Sequence, residues 1–375
     1  MYEMIDRYIR NLVDRSTPRR TVWNLEKIRD GRDTNWNYID GCMLNALTAM
    51  TEITRDDRYA AFVEEVADSF VEEDGSIRTY EAEKQTLDDI NEGRILFPMA
   101  ERTGKGKYRK AAGTLYRALQ NQPRTEEGNF WHKKIYPNQV WLDGTYMALP
   151  FLALYEKHCG QGDYSDILRQ LRVVHSRMRD PATGLYYHGY DASRKAFWAD
   201  PETGLSRSFW LRAIGWFSIA LADLTEILPE GPEREEISCV FRELAESLLP
   251  FADPETGMYL QVVDQRGREG NYPETSGSAM IACAMLKGAR LGVLGEKFRS
   301  QGRKTFDGIV NGHLKVRDGM AGLDNICLVA GLGPENNRRR DGSYEYYISE
   351  PVVSDDAKGA APFVLCYTEI RRTGG

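Results

Sequence analysis

The chain has 375 residues, 42% of them hydrophobic, and its 49 Lys and Arg against 56 Asp and Glu give a formal net charge of −7. A chain of this length buries a large core, and its interspersed charge, with no basic run longer than Arg338-Arg339-Arg340, excludes a nucleic-acid-binding surface. No apolar run approaches the length of a membrane span, so no membrane partner is expected.

Helical periodicity dominates from the first residues. The three-and-four spacing of Tyr59, Phe62, Val63, Val66 and Phe70, and of Ile167, Leu168, Leu171, Val174 and Met178, marks amphipathic helices. The same template predicts about twelve helices, near residues 2–14, 36–53, 57–72, 86–103, 107–121, 143–158, 163–179, 208–228, 233–251, 275–291, 295–314 and 354–372. Short connections such as Thr54 to Asp56, Gly104 to Gly106 and Cys159 to Gly162 alternate with long ones over 15–35, 73–85, 122–142, 180–207, 252–274 and 315–353. Loops longer than about a dozen residues are uncommon in compact domains unless they carry function. The alternation predicts helical hairpins closed into an all-α (α/α)6 barrel, with the long loops and short β-hairpins on one face. Inner helices are expected to start near Trp36, Thr86, Asp143, Ser208, Thr275 and Ser354, where small residues such as Gly41, Gly144 and Gly277 relieve crowding at the axis. Length alone suggests about two or three domains, but no linker or low-complexity run interrupts the chain, so one domain over 1–375 is expected.

Asp180-Pro-Ala-Thr-Gly-Leu, Asp200-Pro-Glu-Thr-Gly-Leu and Asp253-Pro-Glu-Thr-Gly-Met form a weak repeat of Pro/Gly turns, the first and last followed by stretches that read as β-hairpins. Met1 to Arg15 lacks the uninterrupted apolar stretch of a secretory signal, so a cytoplasmic location is expected. The 6 cysteines stand singly and read as reduced thiols. No two of the 5 histidines have metal-ligand spacing, so neither a metal nor another cofactor is expected.

All 7 tryptophans (Trp23, Trp36, Trp131, Trp141, Trp198, Trp210, Trp216) fall in long loops or at the start of inner helices. Singly each reads as a cap on the barrel; together they suggest a sugar-stacking cleft with an oligosaccharide partner. The densest patch, Asn138-Gln-Val-Trp141-Leu-Asp143-Gly-Thr-Tyr146, holds one carboxylate at a helix start. There Asp143 either caps the helix or, partly desolvated among aromatic rings, keeps a raised pKa and donates a proton. Asp88 and Asp89 either complement a helix dipole or supply the second acid of a glycosidase pair with Asp143. His188 lies in a tyrosine-rich stretch as a packed or a catalytic residue, and Arg212, between Trp210 and Trp216, either forms a structural salt bridge or clamps a substrate carboxylate.

The ordered series Trp36-Asn-Tyr38-Ile-Asp-Gly, Leu87-Asp88, Phe130-Trp-His-Lys133, Gln139-Val-Trp-Leu-Asp143-Gly, Tyr187-His188-Gly-Tyr-Asp191, Phe209-Trp-Leu-Arg212-Ala-Ile-Gly-Trp216 and Ser276-Gly-Ser-Ala-Met280 resembles the unsaturated rhamnogalacturonyl hydrolases. These belong to glycoside hydrolase family 105, an (α/α)6-barrel family related to the unsaturated glucuronyl hydrolases, and the resemblance spans nearly the whole chain. It implies release of a 4,5-unsaturated uronic acid from rhamnogalacturonan-derived oligosaccharides by hydration of a vinyl ether, with Asp143 as the proton-transfer residue. It also implies a subsite for the unsaturated ring formed by Asp88, Lys133, His188, Arg212 and Trp216, with Trp141 and Tyr38 beside them. Lys133 and Arg212 are the expected carboxylate partners. Other readings are an unsaturated glucuronyl hydrolase acting on other lyase products, a sugar epimerase on the same barrel, and a non-catalytic sugar-binding protein. The inner helices carry no histidine of the kind an epimerase needs. A monomer or weak homo-oligomer is expected, and nothing is recognised in 315–353.

Overall fold

The computed structural model describes residues 1–374. In chain order its helices are α1 (Tyr2–Asp14), α2 (Leu25–Asp30), α3 (Tyr38–Thr54), α4 (Asp57–Phe70), a 3-10 segment (Asp88–Ile95) running into α5 (Leu96–Thr103), and α6 (Gly106–Gln120). There follow α7 (Leu142–His158), α8 (Ser165–Met178), α9 (Leu211–Ile227), α10 (Pro232–Leu248), α11 (Thr275–Arg290), α12 (Glu296–His313), α13 (Tyr344–Ile348) and α14 (Ala357–Arg372). The inner ring runs α3, the 3-10 segment with α5, α7, α9, α11 and α14, each packed on the next, and α14 returns to α3. Helices α4, α6, α8, α10 and α12 form the outer layer; α1 completes it beside α14, with Tyr8 edge-on to Phe363 and Tyr367 donating to Asp6. This is the expected (α/α)6 barrel.

The two layers follow from residue pattern. Outer α4 turns Tyr59, Phe62, Val63, Val66 and Phe70 inward and leaves charges outside, whereas α9 and α11 are buried almost all round. Close approach of those inner helices depends on glycine: a Cβ on Gly215 would lie 2.8 Å from Met280 Sδ, and one on Gly277 would lie 2.4 Å from Leu211 Cγ.

The expected continuous helix over 86–103 is instead a 3-10 segment followed by α5. Pro98 explains the break, because it has no N–H for the carbonyl of Arg94 and its ring crowds that carbonyl. The second inner position is therefore tighter at its loop end.

Long loops gather at the N-terminal ends of the inner helices. Each Asp-Pro-x-Thr-Gly turn closes on itself, with Asp180, Asp200 and Asp253 accepting from the N–H and Oγ of Thr183, Thr203 and Thr256. The stretch after the first of them pairs locally across the turn, Arg179 opposite Tyr186, and then with a different loop: β1 (Gln139–Trp141) lies antiparallel to β2 (Gly189–Asp191), with Trp141 opposite Gly189. The stretch after Asp253 folds back on itself at one antiparallel bridge, Leu260 to Pro273, flanked by the Gln261 N–H to Tyr272 and Glu274 N–H to Tyr259 backbone bonds. Residues 315–353 hold the hairpin of β3 (Leu314–Arg317) and β4 (Met320–Leu323), the pair of β5 (Ile326–Cys327) with β6 (Val352–Val353), and α13.

The opposite end of the ring holds a buried ion network. Asp223 of α9 accepts from Arg94 at 2.6 Å and from Lys287 of α11 at 2.7 Å, and Arg290 joins Glu226 to Glu369 of α14 at 2.6 Å each. Four of the 6 cysteines are buried and all are free thiols. No helix among the described residues is long and apolar enough to cross a membrane.

Candidate active site

Helix α7 brings Asp143 to the loop face in its first turn. Its N-cap is Trp141, which makes no side-chain cap, and Asp143 Oδ2 has no hydrogen-bond partner, so the capping role is not the one the carboxylate plays. The first N–H of the helix, on Leu142, is satisfied by the carbonyl of His188 at 3.0 Å. The same β1–β2 register sets His188 Nε2 3.1 Å from Asp143 Oδ2, in close contact but not aligned as a hydrogen bond. The other imidazole nitrogen, Nδ1, lies 2.6 Å from Tyr347 Oη.

Aromatic rings wall this pair. Trp141 stacks on His132 at 4.4 Å and on Tyr136 at 4.8 Å, and it meets His188 edge-on at 5.4 Å. Trp210 packs on His188 at 4.7 Å and on Tyr347 at 5.6 Å. Asp143 nonetheless keeps 13% of its side chain exposed, so the carboxyl is confined without being sealed.

The 3-10 segment and the loop before β1 supply a second polar group. Asp88 holds Lys133 Nζ at 2.5 Å and His132 Nε2 at 3.4 Å. Asp88 and Lys133 line an open cavity of about 560 Å³ together with Tyr38, Asp89, Asn24 and Asn37. Across the ring, α14 contributes Lys358, which pairs with Glu26 at 2.8 Å and with its own N-cap Asp356 at 3.1 Å. Among the described residues no cluster of His, Cys, Asp or Glu has the geometry to hold a metal ion.

Glycosyl Hydrolase Family 88 matches residues 8–373 of this chain. The chain belongs to that glycoside hydrolase family. A family 105 glycoside hydrolase from C. acetobutylicum ATCC 824 is 39% identical, with a TM-score of 0.88 over 98% of this hydrolase and 99% of that chain. The unsaturated rhamnogalacturonyl hydrolase YesR of Bacillus subtilis is 26% identical over 69% of the hydrolase and 72% of its own length. The unsaturated glucuronyl hydrolase of Bacillus sp. GL1, at 16% identity and a TM-score of 0.69 over 99% of this chain and 97% of that one, shares the fold.

Electrostatics in the hydrolase depart from expectation at its central carboxylate. Burial alone raises the Asp143 pKa, but His188 and then His132 outweigh it and hold the group below the ordinary carboxylate value. Burial, reinforced by Lys133, pushes His132 down to about 4 despite the opposing pull of Asp88. Burial also lowers Lys133, yet Asp88 more than compensates and keeps it a firm cation. Asp89 is raised to about 7, by burial first and by Asp88 second.

The structure brings Asp143, Asp88, Lys133, His188, Trp141 and Tyr38 to one end of the barrel, and it redefines three of the expected contacts. Trp216 is only 2% exposed and stacks on Tyr146 at 4.8 Å, which makes it floor rather than an open stacking face. Trp141 likewise has both faces occupied by protein. Arg212 has no carboxylate partner: its Nη1 donates to Ser276 Oγ at 3.2 Å and to the Cys327 carbonyl, and its guanidinium lies over Trp210. The expected open row of tryptophans is not formed, since every Trp except Trp131 is buried. Of the two adjacent acids, Asp88 engages Lys133 and His132, whereas the backbone carbonyl of Asp89 accepts from Trp36 Nε1. His132 and Tyr347 went unnominated in the sequence. The first sits beside Lys133 in a quoted motif, while the second's only signal is the aromatic run Tyr344-Glu-Tyr-Tyr347.

Proposed function

We propose that this hydrolase removes a 4,5-unsaturated uronic acid from the end of an oligosaccharide by hydrating the ring's enol ether, with unsaturated galacturonyl-rhamnose units of rhamnogalacturonan as substrates. The observation that carries the reading is a single carboxyl, Asp143, partly exposed among aromatic rings with one oxygen free of hydrogen bonds and an imidazole 3.1 Å away. Such a group is placed to shuttle one proton, the demand of general acid/base catalysis.

Asp143 gives its proton to C4 of the double bond, and the electron pair of the π bond forms the new C4–H bond. Positive charge develops at C5 and is shared with the ring oxygen. Water adds to C5 while Asp143, now a carboxylate, takes back a proton from it. The hemiketal at C5 opens the ring to a ketone, leaving C1 as a hemiacetal that releases the saturated sugar. His188 stabilises the carboxylate form between these two proton transfers. Asp88, Lys133 and Tyr38 bind sugar hydroxyls from the cavity wall, and Trp141, Arg212 and Trp216 hold the floor and sides in place.

Support for the aglycone comes from YesR, a rhamnogalacturonyl hydrolase by name, together with the family 105 likeness at 39% identity. The test is the ultraviolet absorbance of the conjugated double bond in an unsaturated galacturonyl-rhamnose disaccharide, compared with unsaturated glucuronyl disaccharides. Absorbance falls fastest with the first, and Asp143→Asn lowers kcat by about a thousandfold while folding normally. A flat trace on every member of that panel sinks the proposal.

A further inference from the structure

The loop 331–340 contains three consecutive arginines, and two of them are committed. Arg338 pairs with Glu335 at 2.7 Å, and Arg339 pairs with Glu350 at 2.8 Å. Arg340 is half-buried, yet among the described residues its guanidinium has no carboxylate in ion-pairing range and makes no hydrogen bond.

Its backbone is fixed all the same. The Arg340 N–H donates to Asn337 O at 3.2 Å, and its carbonyl accepts from Gly333 N–H at 2.8 Å. A Cβ built on Gly331 would lie 3.5 Å from Arg340 Nη1 and 3.4 Å from Trp141 Cζ3, so guanidinium and indole meet across that glycine. Gly331 is held in turn by its N–H bond to Tyr346 Oη at 3.0 Å. The same indole stacks on His132 and touches His188, the neighbour of Asp143. Arg340 is therefore a cation with free donors on a held backbone, linked to the proton-transfer carboxyl through Trp141 and then His188.

Lys27, Lys84 and Lys134 also line the cavity, but as single ammonium groups that cannot make a planar two-donor pair; the remaining cations beside it are engaged or buried. Lys133 is held by Asp88 at 2.5 Å, Lys358 by Glu26 and Asp356, and Arg212 is 1% exposed against Trp210. A guanidinium matches a carboxylate with two parallel donors, and partial burial strengthens that charge-assisted pair.

We propose that Arg340 binds the carboxylate of the uronyl ring, which makes the loop 331–340 a determinant of acid recognition. This rests on the unsaturated-uronyl reading above. The experiment compares the unsaturated disaccharide acid with its methyl ester. Binding is followed by titration calorimetry on Asp143→Asn enzyme, so that substrate survives, and turnover is followed on enzyme with Asp143 intact. Arg340→Gln is expected to weaken acid binding about tenfold or more and to raise KM with kcat nearly unchanged, leaving the ester within about twofold. Arg340→Lys recovers part of the loss, and the acid-to-ester preference of enzyme with Arg340 intact needs no variant that might misfold. Equal losses for acid and ester, or no loss for either, overturn the assignment. Arg340-dependent binding of the acid without any turnover would overturn the hydrolase reading alone.

Discussion

Asp143 and His188 face each other at 3.1 Å, and the far nitrogen of that imidazole is held by Tyr347 Oη at 2.6 Å. His188 and Tyr347 are fully buried, so each polar atom has few alternatives. When the phenol donates to Nδ1 the ring N–H stands on Nε2, on the side of Asp143, and this is the tautomer that steadies a carboxylate. Tyr347→Phe keeps the ring beside Trp210 and removes only that donor. Stability is expected to fall by about 1–2 kcal/mol, and kcat by about three- to tenfold with KM unchanged, read from thermal melts and initial rates. Wild-type kinetics in that variant would show that the imidazole is held by packing alone.

The pH profile carries a sign. Asp143 is held below the ordinary carboxylate range by His188 and His132 against the upward push of burial, and its acid form protonates the substrate. In the free enzyme that form becomes scarcer as pH rises, so kcat/KM falls from the acid side through neutrality. An arriving uronate places a second negative charge nearby and raises the Asp143 pKa, so the alkaline limb of kcat lies at higher pH than that of kcat/KM. Coincident limbs would mean that the substrate carboxylate lies too far away to be felt.

Asp89 makes an opposite contribution to stability. Its pKa is raised to about 7 by burial and by Asp88, so the folded protein binds a proton there that the unfolded chain gives up near the ordinary aspartate value. Stability from this group is full at pH below the unfolded value and is lost as pH rises through about 7. Asp89→Asn is therefore expected to gain on the wild type between acid and mildly alkaline pH, by on the order of 4 kcal/mol, in denaturant titrations. A constant difference across that window would contradict the assignment.

The remaining prediction concerns the far end of the barrel. Asp223→Ala strips the shared carboxylate from Arg94 and Lys287, two side chains only 11% and 12% exposed. Lys287 keeps Glu226 at 2.8 Å, but Arg94 loses its carboxylate, and leaving that buried cation uncompensated costs about 3–5 kcal/mol, which calorimetry reads as a melting temperature lower by at least about 5 °C. Asp223 lies in the last turns of α9 and Arg212 in its first, so residual folded enzyme keeps near-wild-type kcat.

Much of the architecture was legible from residue order. Period-3.6 stripes such as Tyr59 to Phe70 locate outer helices, and alternating loop lengths place every long loop on one face, because both are local consequences of burying one side of a helix. The motif series placed Asp143, Asp88, Lys133 and His188 at the loop-bearing end of the barrel for the same reason: Asp88 and Asp143 stand at the start of an inner segment, Lys133 bridges to Thr86 just before one, and His188 precedes a strand paired to the residues before another.

Partnership was a different matter. That Lys133 is taken by Asp88, that Arg212 turns to Ser276 and Cys327, and that Tyr347 reaches His188 from 159 residues away depend on which loops the closed ring sets side by side. The sign of the Asp143 shift belongs here too, since burial and two neighbouring imidazoles pull in opposite directions and only distance settles the contest. By itself the chain determined a six-hairpin barrel with its acid at a helix start. The tertiary structure decided which charges meet, because ring closure fixes distances that no sequence spacing encodes.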